Sequence, residues 1–540
     1  NKDSNVDLFL QNYAESYLYS DWDGGKQAGG RIEYVKIFSI VGIIILLIAC
    51  INFMNLATAR SAIRSKEIGV RKMVGAGRRS LAGQFVAESL LTAFIALLAG
   101  VLLVYLLLPA FNEMTGKHLV LDFGNSILWL GVIGAAIFTG LIAGSYPAIF
   151  LSSMKAIRVL KGKSDGLTGN GVRRTLVVFQ FSLSVVLIIS ATVVYRQISY
   201  MKNKNLGFDR DHAFYLKMND ALRKNFGEFK RLALADRQVR FVSRSDDNPM
   251  NIFGGLVLAD DAWPGKTKQD NLVFKFLQCD ADLLPALGFT FVEGRNFTES
   301  SADSANYIIT EAAARAMQLK DPVGQYLNGP TKGNIIGVIK DFHSEGLQQP
   351  INPVIIGLNP STARRLYISY APGGLEQALA HVTKVHRQIA PEFPMEFKFL
   401  DEPFEDQYRN EILVGKLSNC FMVIAVFISS LGLFGLSSFA AARRSKEISI
   451  RKVLGASVGQ MIVLLCRDFV WLSAVALLVG LPVAWLIMER FLGTFKFHIE
   501  LGPNVFVVTV AAMLAITILT VSFQSLKAAL SNPVNALKNE

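Results

Sequence analysis

Two short segments of this 540-residue chain repeat one order of acid, base and glycine. Residues 64–76 read RSKEIGVRKMVGA and residues 444–456 read RSKEISIRKVLGA, identical at nine of thirteen positions. In each, an acid precedes a base by four residues, Glu67 before Arg71 and Glu447 before Arg451. On a helix that spacing brings the two side chains together in the favourable order. Ile63, Val70, Met73 and Val74 supply an apolar side, matched by Ile450, Val453 and Leu454. Gly75 and Gly455, each followed by alanine (Ala76, Ala456), stop the helix as glycine does at C-terminal caps. The chemistry of such a pattern is recognition rather than catalysis. An amphipathic helix presents Lys66, Arg71 and Lys72 in one case, and Lys446, Arg451 and Lys452 in the other. Anchoring to anionic lipid accounts for the lysines and arginines, but not for acid, base and glycine recurring in the same order. Two matching helices suit a partner with two-fold symmetry.

Catalytic and metal-binding patterns are weak elsewhere. A phosphate-cradling loop needs GxxxxGK[ST]; Gly162-Lys163-Ser164 has Ile157 at the first glycine position, and Gly265-Lys266-Thr267 has Asp260. Gly162 to Gly166 matches GxSxG, but sits in a basic loop with no strand before it. His381 and His386 are five apart, on different faces of a helix, and read as surface histidines rather than a metal pair. Cys50, Cys279, Cys420 and Cys466 are far apart and contain no CxxC. No catalytic, cofactor-binding or metal-binding residue is expected.

The elements that position the two segments are apolar. The chain is 51% hydrophobic and 18% charged, against about 25% charged in soluble proteins, which excludes an ordinary soluble enzyme and a disordered chain. Seven stretches reach the roughly 20 residues a bilayer-crossing helix needs: Ile37 to Ala59, Val86 to Leu108, Ile127 to Phe150, Thr175 to Tyr195, Leu417 to Ala441, Asp468 to Met488 and Val505 to Leu526. Small residues within them, among them Gly140, Gly144, Gly432 and Gly435, fit close helix packing in lipid. Glu88 and Asp468 stand at the starts of the second and sixth stretches. They read either as carboxylates that meet a helix N-terminus or snorkel, or as coupling residues at the membrane interface.

Between the fourth and fifth stretches, 196–416 is polar and mixed. Short β-like runs (Ala213 to Met218, Leu272 to Cys279, Tyr307 to Thr310, Asn334 to Ile339, Arg365 to Tyr370, Met395 to Leu400) alternate with helical patterns at Glu311 to Gln318 and Leu375 to Ile389. The expected fold is therefore an α-helical polytopic membrane protein with an α+β domain inserted between the fourth and fifth helices. The net charge of +12 is unevenly spread. The insert holds 27 basic and 27 acidic residues, whereas the loops at 60–80, 152–174 and 442–460 carry +6, +5 and +4. By the positive-inside rule those loops and the C-terminus are cytoplasmic and the insert lies outside. A neutral insert also removes the simplest case for nucleic acid.

The duplication has an offset of 380 and continues beyond the loop, with Glu88 falling on Asp468 and Gly100 on Gly480. Each half is three spans with a basic loop after the first. With seven spans and an inside C-terminus, Asn1 lies outside although 1–36 carries no signal peptide. The expectation is a fragment lacking at least one N-terminal span, with 1–36 the end of a first external domain.

The basic-KEIG-x-RK-x-x-GA loop resembles that of the FtsX-like/MacB-like ABC transporter permease family. The insert is similar to its periplasmic core domain at Glu293-Gly294-Arg295-Asn296-Phe297, Ile308 to Ala314, Asp321-Pro322-Val323-Gly324 and Ile336 to Phe342. The organisation resembles the fused two-half, eight-span form, without its first span and most of the first periplasmic domain. The resemblance implies FtsX-like units at 37–162 and 417–540, a connecting span at 175–195 and a periplasmic core at 196–416. It implies a bacterial inner-membrane permease subunit acting by mechanotransmission on a substrate at the membrane. A separate cytoplasmic ABC ATPase dimer would use ATP and Mg and dock on the loops around Glu67–Ala76 and Glu447–Ala456. A periplasmic adaptor, hydrolase or sensor is a further implied partner. The alternative is a non-transporting regulator that controls an envelope hydrolase or sensor.

Overall fold

The computed structural model describes residues 11–530 apart from 24–25, 64, 154–166, 268–271, 299–300, 346, 348, 401 and 403–407. The chain divides into two units. The first comprises Asn1–Arg196, Leu413–Arg490 and Glu500–Glu540; the second comprises Gln197–Ile412 and Phe491–Ile499.

The first unit is helical after a single short turn at Tyr13–Ser16 and a two-stranded antiparallel sheet, Asp21–Asp23 with Lys26–Gly29. Its main helices are α1 (Ile32–Ile63), α2 (Ser65–Met73), α3 (Arg78–Thr115), α4 (Ser126–Ser153) and α5 (Leu167–Asn203, whose last turns enter the second unit). After the second unit follow α9 (Arg409–Arg443), α10 (Ser445–Val453), α11 (Val458–Leu492) and α12 (Pro503–Leu530). Seven of these are long and apolar enough to cross a membrane, one for each predicted stretch. Several run past the apolar stretch that predicts them, because polar residues continue a helix until a breaker intervenes. Thus α3 ends only at Gly116, in the left-handed region at φ +64°.

Two sequence readings change here. Glu88 and Asp468 each lie ten residues beyond the first residue of their helices, so neither meets a helix N-terminus. Ile63 closes α1 rather than contributing to α2. The GxxxG spacing of Gly140 and Gly144 does serve packing. A Cβ on Gly140 would lie 3.1 Å from Leu90 Cα, and one on Gly144 3.2 Å from Val86 Cα, so α3 and α4 approach backbone to backbone.

The second unit is built on an eleven-stranded mixed sheet. Its strands are β1 (Ala213–Lys217), β2 (Val239–Ser245), β3 (Gly255–Val257), β4 (Val273–Cys279), β5 (Phe291–Gly294), β6 (Tyr307–Thr310), β7 (Tyr326–Asn328), β8 (Lys332–Ile339), β9 (Val354–Leu358), β10 (Arg365–Tyr370) and β11 (Phe397–Phe399). The order is β11-β1-β10-β2-β4-β9-β6-β8-β5, with β3 paired to β4 and β7 to β8. Among the described residues, the pairs β8–β6 and β9–β4 are parallel and the others antiparallel. Against the sheet pack α6 (Phe226–Ala233), α7 (Glu311–Ala316) and α8 (Leu375–Ile389), through Phe229, Ala313 and Val382, all fully buried. Residues 491–499 belong to this unit: Phe495 is buried in the same core as Tyr408, with Phe491 and Phe497 packed against that core.

Candidate coupling site

The repeated segments fold as expected, as helices of nine residues each. Arg71 Nη2 meets Glu67 Oε1 at 2.7 Å, and Arg451 Nη2 meets Glu447 Oε1 at 2.8 Å. Their ends coincide bond for bond. Gly75 and Gly455 sit at φ +101° and +89°, the left-handed region in which a side chain is strained. That turn lets Ala76 N–H reach the Arg71 carbonyl at 3.0 Å and Ala456 N–H reach Arg451 at 2.9 Å, satisfying carbonyls that the helix end leaves free.

The apolar side predicted for each helix faces outward. Val70, Met73 and Val74 are 52%, 64% and 84% exposed; Ile450, Val453 and Leu454 are 52%, 69% and 80% exposed. The inward face of α10 is a different residue, Ile448, buried with Ala441, Met461 and Leu465. Each helix therefore offers an exposed apolar edge beside Arg71 and Lys72, or Arg451 and Lys452. Burial, then the charge of Arg78, holds Lys72 below the usual lysine value. Lys66 and Lys446 lie on the same helices.

Among the described residues, polar contacts tie each short helix to the long helix that follows it. Arg444, immediately before α10, donates from Nη2 to Asp468 Oδ2 at 2.9 Å. In the first half Gln84 intervenes: it donates to Glu88 Oε1 at 3.3 Å and accepts from Arg71 Nη1 at 3.1 Å. Glu88 and Asp468 thus each connect to the segment that carries a short helix. Gln84 and Arg444 escape the sequence reading. Arg444 opens the repeated motif, which is a usable signal; Gln84 has Leu464 at its repeat position and gives none.

The motif residues of the second unit make turns and ion pairs. Arg295 holds Asp303 through two bonds, Nη1 to Oδ2 at 2.7 Å and Nη2 to Oδ1 at 2.8 Å. With Thr298 also donating to it, Asp303 is held well below the usual carboxylate range, Arg295 being the largest cause. Gly324, at φ +88°, turns the chain so that its N–H meets the Ile335 carbonyl at 2.7 Å. The histidine pair separates: His381 Nε2 faces the Leu232 carbonyl at 2.9 Å. His386 is buried rather than on the surface, because α8 turns that face onto the sheet. No group of His, Cys, Asp and Glu suited to a metal occurs among the described residues. The near-miss at 162–166 lies outside them.

Comparison with known proteins fits this duplicated geometry. Residues 39–156 and 419–533 both match the FtsX-like permease C-terminal domain. The macrolide export ATP-binding/permease protein MacB of Bdellovibrio bacteriovorus is 32% identical over 121 residues, 22% of this chain and 18% of that protein. MacB of Vibrio parahaemolyticus is 30% identical over 124 residues, 23% and 19% of the two chains. These matches span about a fifth of the relatives' length. Among solved structures, the periplasmic region of MacB from Actinobacillus actinomycetemcomitans aligns over 38% of this chain and 96% of its own at 12% identity, TM-score 0.27. The extracellular domain of the noncanonic ABC-type transporter YknZ from Gram-positive bacteria aligns over 35% and 97% at 10% identity, TM-score 0.25.

Proposed function

We propose that this chain, a multi-pass membrane protein of the FtsX-like permease family, is the permease subunit of an ABC transporter that works by mechanotransmission. A separate cytoplasmic ATPase dimer docks on α2 and α10 and hydrolyses ATP with Mg; its closure moves the two helices. Glu88 and Asp468 pass that motion to α3 and α11, and the spans pass it to the extracytoplasmic domain, where a substrate or partner is handled. The observation that carries this reading is the matched outer face of α2 and α10: the same exposed apolar edge, beside the same basic pair, twice. A surface that only needed to rest on lipid has no reason to repeat its cap and its ion pair. The basic loops support a cytoplasmic location for both helices, in a bacterial inner membrane, with the neutral insert outside.

The test is charge reversal of Arg71, Lys72, Arg451 and Lys452 to glutamate in the full chain. Association with the cognate ATPase and stimulation of its hydrolysis should both fall by an order of magnitude or more. Unchanged association and stimulation would remove the coupling assignment. A non-transporting regulator shares this outcome and differs in moving no substrate across reconstituted vesicles.

A further inference from the structure

The 380-residue offset that relates α2 to α10 also carries Ile48 onto Ile428, Asn52 onto Gly432 and Asn55 onto Gly435. In the membrane part the first two of these pairs meet. Ile48 is fully buried with Leu187 and Ala425, and Ile428 packs on the same cluster. Asn52 Nδ2 donates to the Ile428 carbonyl at 3.4 Å. A Cβ on Gly432 would stand 2.6 Å from Asn52 Oδ1, and one on Gly435 would collide with the end of Leu56.

Residues that face their own equivalents mark a local two-fold axis, here relating α1 to α9. Such an axis imposes a steric condition, because two side chains at mated positions compete for one space. The sequence answers at Asn52–Gly432 with a large and an absent side chain, and one turn on Gly435 leaves room for Leu56.

The fit in shape contrasts with the polarity. Asn52 and Asn55 are 9% and 2% exposed, and Asn52 Oδ1 and Asn55 Nδ2 have no hydrogen-bond partner among the described residues. Gln180 of α5, also buried, brings Nε2 to 3.2 Å from the same Gly432 position. One turn away, Ser184 and Ser429 share a hydrogen bond of 2.7 Å. Within lipid an unmade hydrogen bond is costly, so this contact is close in shape and weak in energy.

We infer that the crossing of α1 and α9 at Asn52–Gly432 is a releasable seam. The two repeats part and re-close there, and Asn52 and Asn55 are positioning residues whose carboxamides gain partners when the seam opens. Nothing in the seam requires a particular cytoplasmic partner, so its test is separate from that of the ATPase.

The full chain, reconstituted in lipid nanodiscs without an ATPase, is followed by hydrogen exchange over 49–56 and 429–436. Gly432→Asn sets two carboxamides at mated positions and should raise exchange at least tenfold. The exchange of residues, Asn52→Gly with Gly432→Asn, should return it to within about twofold of the parent. Because Gly432→Asn risks failed folding, Gly432→Ala and its rescue by Asn52→Ala are measured in parallel. Asn52→Leu, apolar and of similar volume, should lower exchange at least fivefold by removing the unpartnered Oδ1. The seam is overturned if neither rescue outperforms its single variant, or if Asn52→Leu raises exchange.

Discussion

Arg444 Nη2 stands 2.9 Å from Asp468 Oδ2, so the residue that precedes α10 is tied to α11 about three turns along its length. The pair is 37% and 45% exposed. Pairs of that exposure contribute roughly 0–1 kcal/mol to folding. Its consequence is positional: α10 cannot shift without pulling on α11. Asp468→Asn should therefore leave the melting temperature within ~2 °C of the parent. Stimulation of the partner ATPase should fall about fivefold, the lower end of ordinary coupling energies. Restoration by the exchange Arg444→Asp with Asp468→Arg would identify the pair as the agent. Full stimulation in Asp468→Asn would reduce the contact to a surface ion pair.

Gly294 supplies a backbone test in the second unit. It sits at φ +76°, and a Cβ there would strike the Ile336 carbonyl of β8, the strand paired with β5. Gly294→Ala therefore meets left-handed strain and a backbone clash together. A loss of at least ~2 kcal/mol is expected, read as increased hydrogen exchange in 291–297 and 335–340. Gly324→Ala, at φ +88° in open space, meets the strain alone and should cost less.

What the sequence made legible follows from how each signal arises. All seven membrane helices and the paired short helices were readable, the first from apolar runs and the second from repetition. Strands such as β10 and β6 were readable from their β-branched and aromatic residues. The strand β9 was not, because Val354-Ile355-Ile356-Gly357-Leu358 is buried through most of its length and lacks alternation. Neither was β2, whose Ser243 and Ser245 look like surface residues but are fully buried. Ser243 is there to donate to Asp280 at 2.6 Å. The halves' differences, Gln84 and the Asn–Gly exchange, were hidden because a repeat draws the eye to what it preserves.

Two buried groups of the second unit give opposing pH dependences. Burial, against the hydrogen bond from Ser243, pushes Asp280 up to about 6. Burial, with the charge of Lys204, pushes His343 down to about 4. Between pH 4 and 6 the folded state keeps an Asp280 proton that the unfolded chain releases, near its ordinary value of about 3.9. Raising pH there costs stability. Over the same range the unfolded chain binds a His343 proton, near about 6.5, that the folded state excludes. Raising pH there adds stability. His386, also lowered by burial, acts in the same sense as His343. Relative to the parent, His343→Gln should lose about 2 kcal/mol of stability from pH 4 to 6, and Asp280→Asn should gain about as much. Hydrogen exchange of the full chain, corrected for intrinsic rates, reads both slopes; parallel curves for all three proteins would refute the assignment.

Gln197 fastens residues 491–499 into the second unit with both ends of one carboxamide. Nε2 donates to the Phe497 carbonyl at 3.0 Å, and Oε1 accepts from Ile499 N–H at 2.9 Å. Gln197 is 1% exposed, so neither backbone group has water as an easy substitute. The ring of Phe497 is held from two further sides, by His343 at 4.8 Å between ring centroids and by Lys204 at 4.0 Å. Leaving a buried donor or acceptor unsatisfied costs about 1–3 kcal/mol. Gln197→Ala does that to Phe497 and Ile499 at once, and should raise hydrogen exchange in 491–499 by about tenfold to a hundredfold. Gln197→Glu sets a buried carboxylate oxygen against the Phe497 carbonyl, so at neutral pH its effect should equal or exceed that of alanine. Exchange in 491–499 that ignores both variants would mean the aromatic packing alone holds the segment.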